Sequence, residues 1–555
     1  MEKTNRSNET EDLIMYAKHL TAAALLLVTL LGTAACGGTS GDSTAVTEAV
    51  GQTTAAMETE PVETRLYADV PDNDFGGKTF DILTAGNWNN EWTEIYDFQA
   101  EEENGEPIND AVFQRNLAIE ERYNVEIVEI NNMGNDKGGT GKGAKFIEKS
   151  VMASDFAYDA SLMGAYDVST LSYNNYLLDL ASEVPHIDLT QPWWDQKANT
   201  DLAMKGKMYY TTGDISTIDN DCTFCMLFNK NLLNRYDMED PYQLVRDGKW
   251  TLDKFIEMAS QVSQDLNGDA KYDENDLYGF CIWQDSMMGM VNAAGEKFCT
   301  VNDNGDLELT LNTERSLDMI NRYMELAFDR TLAFSIFHSG DLIETMFAND
   351  QVLFYSRYLC IIKKYRNMDT DFGILPYPKY DEAQDQYYHT VAPYGCSFIC
   401  VPAVVEDVDM TGAILEAMAC ESLYTVTPAY YDITLEGKQL RDDESSEMLD
   451  IILGSRVFDL GQFYQVGTYN EQIMNLFRNN KKEFTSMCEK FEKKALRDLE
   501  RSTPRLLKSN KEYKMGGTAV MAVPSDFCIQ RSLFLLTADS ARLHGSQVPY
   551  RTVLA

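Results

Sequence analysis

The feature that most constrains the fold is an alternation of strand-like and helix-like segments in the first third of the chain. Three short runs are rich in apolar residues, as expected for buried strands: residues 78–84, 125–130 and 158–163. The stretches between them, at about 106–122 and 144–154, have helix-like apolar spacing. Parallel strands need crossover connections, which a helix usually provides. The order βαβαβ therefore predicts an α/β fold with a parallel sheet covered by helices.

Similar signals continue through the middle of the chain. Further strand-like runs lie at residues 208–212, 223–229, 280–282, 352–356, 372–375 and 397–401. One helix is expected to start at Thr251, an N-cap residue with Asp253 in the first turn, and others at 313–328 and 339–349. The remainder, to about residue 500, is mostly helical and charged. A chain of 555 residues is long enough for two or three domains.

One apolar stretch near the N-terminus points to export. It runs from Leu20 to Leu31, about 12 residues, which is too short to span a bilayer but fits the core of a signal peptide. Small residues and then Cys36 follow, a pattern that resembles a bacterial lipobox. We expect residues 1–36 to be a signal peptide and Cys36 to carry a lipid anchor, which places the protein outside the cytoplasm on the cell membrane. A plain secretory signal with a chance cysteine is the alternative.

Two flanking regions lack the signals of a folded core. Residues 37–74 begin with a stretch of mostly small and polar residues. We expect this region to form a flexible tether between the lipid and the folded body. Residues 501–555 invert the acidic balance of the chain, and we treat them as an atypical C-terminal tail without an assigned function.

The charge of the chain excludes some partners. Acidic residues outnumber basic ones by 88 to 47, which gives a formal net charge of −41. Nucleic acids require a cationic surface, so we expect no nucleic-acid partner. A strongly anionic ligand is also disfavoured unless a local basic pocket exists. The ten cysteines after Cys36 are irregularly spaced and several lie in apolar runs, which favours free buried thiols over disulfides.

Several segments together resemble a known family. They are the runs at 75–80 (FGGKTF), 119–125 (IEERYNV), 228–232 (FNKNL), 250–255 (WTLDKF) and 372–379 (FGILPYPK). Their order and spacing are similar to those of the extracellular solute-binding proteins of ABC importers, family 1, the sugar-binding type common in clostridia. The resemblance covers residues 75–500.

The resemblance implies a type II periplasmic-binding fold, in which two α/β lobes joined by crossing strands surround a ligand cleft. We expect lobe 1 to comprise residues 75–222 and 351–404, and lobe 2 to comprise 223–350 and 405–500. The implied function is capture of a small solute, expected to be a mono- or oligosaccharide, by hinge closure of the lobes. The implied partners are ABC permease subunits, and the protein is expected to be a monomer and not an enzyme.

Two other functions stay open at this point. A surface glycoside hydrolase would use a pair of carboxylates, and in so acidic a chain no pair stands out from sequence. A ligand-presenting sensor lipoprotein would share the anchor and the fold. The motifs HExxH and GxSxG are absent from the sequence, and the five histidines are widely scattered.

Ligands of open α/β sheets bind beyond the carboxyl ends of the strands, so the residues there are the ligand candidates. Aromatic rings can cover the C–H face of a sugar while amides and carboxylates bond its hydroxyl groups. The candidates are Trp88, Asn89 and Trp92 after the first strand, Trp283 and Asp285 in lobe 2, and Tyr355 and Tyr394 near later strands. The alternative is that these aromatic residues pack locally.

An acidic loop at 265–276 has the spacing of a calcium loop. Oxygen-bearing side chains occupy positions 1, 3, 5, 9 and 12, and position 7 offers a main-chain carbonyl: Asp265, Asn267, Asp269, Asp273, Asp276 and Lys271. Calcium takes six to eight oxygen ligands, which such a loop can wrap around it. We therefore expect a structural Ca²⁺, although Ala270 stands where glycine usually supplies a positive φ. A solvated acidic turn is the alternative.

Overall fold

A computed structural model describes most of the chain between residues 65 and 506. The described ranges are 65–85, 97–132, 142–336, 340–365, 368–369, 371–435 and 443–506. The predicted signal peptide with Cys36, residues 37–64 of the tether and most of the tail lie outside them. So do three predicted ligand residues, Trp88, Asn89 and Trp92. In the described part of the chain, no helix is long and apolar enough to cross a membrane.

The strands fall into two main sheets and two short pairs. The strands are β1 (Lys78–Ala85), β2 (Val125–Asn131), β3 (Ala160–Gly164), β4 (Tyr210–Thr211), β5 (Phe224–Asn229), β6 (Ser263–Gln264), β7 (Leu277–Trp283), β8 (Cys299–Val301), β9 (Leu307–Leu309), β10 (Ala333–Ile336), β11 (Val352–Tyr358), β12 (Phe372–Leu375), β13 (His389–Thr390), β14 (Ser397–Cys400) and β15 (Arg456–Val457).

Helices alternate with these strands and then dominate after β14. The helices are α1 (Pro107–Tyr123), α2 (Lys142–Ala153), α3 (Ala165–Tyr173), α4 (Gln196–Asp201), α5 (Ile218–Asp221), α6 (Lys230–Arg235), α7 (Pro241–Arg246), α8 (Leu252–Ala259), α9 (Ser286–Ala293), α10 (Glu314–Phe328), α11 (Gly340–Ala348), α12 (Val408–Tyr424), α13 (Val426–Leu435), α14 (Asp443–Gly454), α15 (Leu460–Phe463), α16 (Tyr469–Arg478) and α17 (Phe484–Leu506). As predicted, Thr251 caps α8, and its hydroxyl accepts a hydrogen bond from the Lys254 N–H.

The first sheet has the order β2-β1-β3-β14-β4. β1 pairs in parallel with β2 and β3, which confirms the predicted βαβαβ unit. β14 pairs antiparallel with β3 and with β4, although it enters the sheet from almost 200 residues farther along the chain. β3 is wholly buried and the second half of β1 is buried too, as expected for a sheet with helices on its faces.

The second sheet repeats this plan with the order β10-β7-β11-β5-β12. β7 pairs in parallel with β10 and β11, while β5 lies antiparallel between β11 and β12. In both sheets the antiparallel strand enters from the part of the chain that builds the other sheet. The chain therefore passes between the two sheets more than once, as the predicted architecture requires.

Two sequence-based boundaries differ from the sheet pairing. Residues 351–404 were expected in lobe 1, but β11 and β12 join the second sheet and only β14 joins the first. Residues 405–500 were expected in lobe 2, but α12 and α13 pack against α1 beside the first sheet, whereas α14 packs against β12 in the second. Local propensity identified these elements, but their partners are chosen by contacts that are distant in sequence.

The crossing segments are tied to one another between the sheets. Thr223, just before β5, bridges to Val391, and the Ala392 N–H donates to the Cys222 carbonyl. β13 also pairs in parallel with β15, so three separate stretches of chain run together there.

The nine cysteines of the described chain are all free and buried, in line with the prediction of free thiols.

Candidate ligand site at the strand ends

Residues from both sheets meet beyond the carboxyl ends of β3 and β7. Tyr166 follows β3 in the first sheet, whereas Asp285 follows β7 in the second. The pKa of Tyr166 is raised mainly by burial, and the nearby charge of Asp285 raises it further, together with Tyr394 and Glu471. Burial also raises the pKa of Tyr394, with a second contribution from Asp285. Of the predicted ligand residues, Asp285 and Tyr394 therefore lie in one cluster that both sheets contribute to.

A stack of rings and a guanidinium group forms the wall of this cluster on the second sheet. The Arg357 guanidinium lies 5.2 Å from the ring centroid of Trp283 and 4.8 Å from that of Tyr358. Such cation–π contacts hold the rings in place. Arg357 is buried, while both rings stay partly exposed. Trp283 can therefore offer ring surface to a ligand from a fixed position.

Asp285 links the members of this stack. Its Oδ2 accepts a hydrogen bond from the Tyr358 hydroxyl at 3.2 Å. Burial raises the pKa of Asp285, and the charge of Arg357 together with hydrogen bonds from Tyr358 and Trp283 acts in the opposite direction. The carboxylate thus bonds the hydroxyl of one ring whose face contacts the guanidinium group, and it lies close to the charge of that group. We call Trp283, Asp285, Arg357 and Tyr358 the ring–guanidinium cluster.

Helix α16 contacts residues that follow strands of both sheets. Asn470 donates from Nδ2 to the Tyr166 hydroxyl at 3.3 Å, which joins α16 to the first sheet. Arg478 donates from Nε to Gln284 Oε1 at 2.6 Å and forms an ion pair of 2.7 Å with Glu471. Sequence reasoning missed Asn470 and Arg478 because no local pattern links a helix near residue 470 to strand ends that lie 304 and 194 residues earlier.

Tyr355 does not belong to the site, which corrects the prediction. It is fully buried and packs its ring 5.8 Å from that of Phe347. The prediction ended the strand-like run at residue 356, but β11 continues to Tyr358, so Tyr355 lies in mid-strand. The end of β11 instead supplies Arg357 and Tyr358.

The structure describes only the two ends of the predicted ligand loop that follows β1. Ala85 pairs with Met163, so the loop leaves the sheet beside the end of β3 and thus beside Tyr166. At its far end, the buried Asp97 accepts hydrogen bonds from the Ser216 hydroxyl at 2.6 Å and the Thr217 N–H at 3.0 Å. Contacts of Trp88, Asn89 and Trp92 stay a prediction.

The acidic loop 265–276 lies between α8 and β7, away from this cluster. Its carboxylates accept main-chain N–H groups of the loop itself: Asp265 accepts from Gly268 and Ala270, and Asp276 from Leu266 and Asp273. Ala270 has φ of 62°, the conformation for which calcium loops usually use glycine at this position. Within the residues that the structure describes, no three acidic, histidine or cysteine side chains form a group that could hold a metal.

Comparisons with known proteins identify the fold but no family. No family model and no curated protein matches the chain. Among solved structures, an ABC substrate-binding protein from Listeria monocytogenes in complex with cycloalternan is 13% identical with a TM-score of 0.50, over 76% of this chain and 99% of that one. A cyclo/maltodextrin-binding protein complexed with maltotetraose is 14% identical with a TM-score of 0.50, over 77% and 98%. The protein UspC from M. tuberculosis is 12% identical with a TM-score of 0.50, over 76% and 100%.

The two sheets of this chain have the same strand order as each other, with the fourth strand antiparallel in each. Together with the similarity to these solved structures, this shows that the chain has the periplasmic-binding-protein fold. At 12–14% identity they show the fold alone. What the chain binds must therefore be argued from its own residues.

Proposed function

We propose that this protein is the extracytoplasmic solute-binding component of an ABC importer, and that it captures a mono- or oligosaccharide between its two lobes. The observation that carries the proposal is that α16 contacts the ends of strands from both sheets, since Asn470 donates to Tyr166 after β3 and Arg478 donates to Gln284 after β7. A ligand that contacts both sheets favours the closed arrangement over the open one, which is all that capture requires. Two of the similar structures hold cycloalternan and maltotetraose, which supports a sugar as the ligand.

The chemistry of the site favours binding over hydrolysis. A glycoside hydrolase needs two carboxylates that flank the scissile bond and exchange protons with it. Here Asp285 accepts a hydrogen bond from the Tyr358 hydroxyl, and Glu471 forms an ion pair with Arg478. Both carboxylates are therefore engaged by other side chains of the protein. We propose further that Cys36 carries the lipid anchor, that the protein acts as a monomer and that permease subunits receive the ligand. The signal segment and the resemblance support these three points.

Replacement of Trp283 with alanine should weaken sugar binding by about 10- to 100-fold, the effect of losing one ring from an apolar contact surface. Binding is measured by calorimetry, after a thermal-shift screen of oligosaccharides has found the sugar that stabilises the wild-type protein most. The matched control is Tyr67→Ala, which removes a ring that is 70% exposed and lies far along the sequence from the site. Release of reducing sugar by the wild-type protein would contradict the proposal and favour a hydrolase.

The calcium site stays a prediction, supported by the ligand spacing and by the positive φ of Ala270. If Ca²⁺ binds, millimolar EDTA should lower the thermal midpoint, and Ca²⁺ should restore it by mass action. Asp276→Asn should abolish this difference, because it removes a charged oxygen at the last ligand position. Asp247→Asn, on an exposed carboxylate outside the loop, is the control. An identical midpoint with EDTA and with Ca²⁺ would leave the loop as a solvated acidic turn.

A further inference from the structure

Among the residues that the structure describes, Arg357 and Arg478 lie beside the strand ends, and each has an acid of the protein nearby. We propose that this balance makes the site select uncharged sugars, and that Asp285 is the positioning residue that sets the selection. The inference rests on the proposed function and adds the charge class of the ligand. The net charge of the chain disfavours an anionic ligand unless the site contains a local basic pocket. The arginines beside the strand ends would form such a pocket if no acid balanced their charge.

Arg357 is the first of the two cations. Its side chain is buried, with 6% of the residue exposed, and rings lie close to its guanidinium group on the Trp283 and Tyr358 sides. An anionic sugar is recognised best when both oxygens of its carboxylate meet an accessible guanidinium group. Arg357 instead supports the rings, and Asp285 offsets its charge. The surface that this wall presents is therefore aromatic and electrically balanced.

Arg478 is the second cation, and the protein also uses its donors. It donates to Gln284 at 2.6 Å, to Glu471 at 2.7 Å and to Asn475 at 3.2 Å. Glu471 is exposed, so its negative charge faces any ligand that approaches Arg478. A sugar carboxylate would have to displace this ion pair, and it would meet Asp285 and Glu471 at close range. Juxtaposed like charges of this kind act strongly against a wrong ligand.

Asp285 is the group whose removal should change the selection. Substitution by asparagine keeps the size of the side chain and an oxygen that can accept the Tyr358 hydroxyl. It removes the negative charge that offsets Arg357, so the ring–guanidinium cluster becomes cationic without losing a ring. A merely structural role of Asp285 would change stability or the affinity for all sugars alike. A positioning role that acts through charge changes the ratio between uncharged and anionic sugars.

The test measures that ratio on the full chain by calorimetry at low salt. Pairs of sugars of equal length are compared, such as maltotetraose with tetragalacturonate, along with gluco-, manno- and xylo-oligosaccharides and oligouronates. The wild-type protein should bind its best uncharged sugar at least about 100-fold more tightly than any uronate. Asp285→Asn should narrow this ratio by about 10-fold or more, because the charge of Arg357 is then no longer offset. Asp318→Asn is the control. Asp318 lies in α10, outside the ring–guanidinium cluster, so this substitution should leave the ratio unchanged.

The outcomes separate this inference from the function on which it rests. Equal or tighter binding of a uronate by the wild-type protein would overturn charge selection and leave sugar capture intact. An unchanged ratio in Asp285→Asn, in a variant that still unfolds near the wild-type temperature, would overturn the role of Asp285. Failure of every sugar, charged and uncharged, to bind would overturn the proposed function itself. If Asp285→Asn does not fold, Glu471→Gln tests the same balance at Arg478 and should shift the ratio in the same direction.

Discussion

Replacing Arg456 with methionine should lower the free energy of unfolding by about 3–5 kcal/mol, the usual cost of removing one partner from a buried ion pair. The Arg456 guanidinium lies between Asp195 and Asp219, at 2.6 Å from Asp219 Oδ2, and both carboxylates are at most 5% exposed. Methionine has similar volume and leaves two buried acids without their cation. Urea unfolding at pH 7 measures the loss directly.

The size of this effect should depend on pH. Burial raises the pKa of Asp219 to about 7, although Arg456 acts in the opposite direction. Without Arg456, that pKa should rise further above its value in the unfolded chain. A raised pKa of an acid means that the folded state binds more protons, so stability is lost as pH rises through the window. The penalty of Arg456→Met should therefore increase as pH rises above about 7, where Asp219 ionises in the wild type but stays protonated in the variant, and it should change little between pH 7 and pH 5.

Two further variants decide whether the buried charge is the cause. Arg235→Met removes an exposed arginine and should change the unfolding free energy by less than about 0.5 kcal/mol. Asp219→Asn added to Arg456→Met should recover part of the loss, because it removes one of the uncompensated charges. A penalty for Arg456→Met below about 1 kcal/mol, or no recovery in the double variant, would show that the cluster is held by other contacts.

How the chain crosses between the sheets could be predicted only in outline. The strands β1, β2 and β3 and their helices follow from local apolar runs, and the structure confirms them. The sequence does not predict the pairing partners of β11 and β12, because mostly apolar, buried strands of seven and four residues would fit into either sheet. Their place is decided by β5, which enters antiparallel from more than 100 residues upstream. Arg456 is a comparable case, since its two partners lie about 240–260 residues earlier in the chain.

The candidate site could be predicted where it depends on strand ends and not where it depends on packing between distant elements. Trp283 and Asp285 follow directly from the end of β7 and lie in the site. Tyr394 lies there too, although it belongs to a crossing segment. Trp193 and Trp194 show the same dependence on distant packing, because both rings are buried in the core and both bond Glu416, more than 200 residues farther along the chain.

These two tryptophans lead to the last prediction, since both donate to Glu416 on α12. The Trp193 Nε1–H bonds Oε1 at 3.0 Å, and the Trp194 Nε1–H bonds Oε2 at 2.8 Å. Glu416→Leu would leave both indole N–H groups buried without an acceptor, each at a cost of about 1–3 kcal/mol. We therefore expect a loss of about 2–6 kcal/mol in the free energy of unfolding, measured by urea titration at pH 5.

Glu416→Gln separates the hydrogen bonds from the charge. Burial raises the pKa of Glu416 to about 7, even though both indoles and the Asp188 N–H lower it. For an acid with a raised folded pKa, the stabilising contribution is complete below the unfolded pKa and is lost as pH rises to about 7. Glutamine does not titrate, so the advantage of wild type over Glu416→Gln should shrink between pH 4.5 and pH 8. The difference between the folded and unfolded pKa of Glu416 limits this change in the stability difference to about 3 kcal/mol.

The same helix offers a matched control. Glu421 lies five residues beyond Glu416 and is paired with Arg65 at the surface, so Glu421→Gln should cost less than about 1 kcal/mol. A gap between wild type and Glu416→Gln that stays constant across pH would show that Glu416 titrates alike in the folded and unfolded chain. In that case burial between the two indoles would not disfavour its charge, and the cluster would act through hydrogen bonds alone.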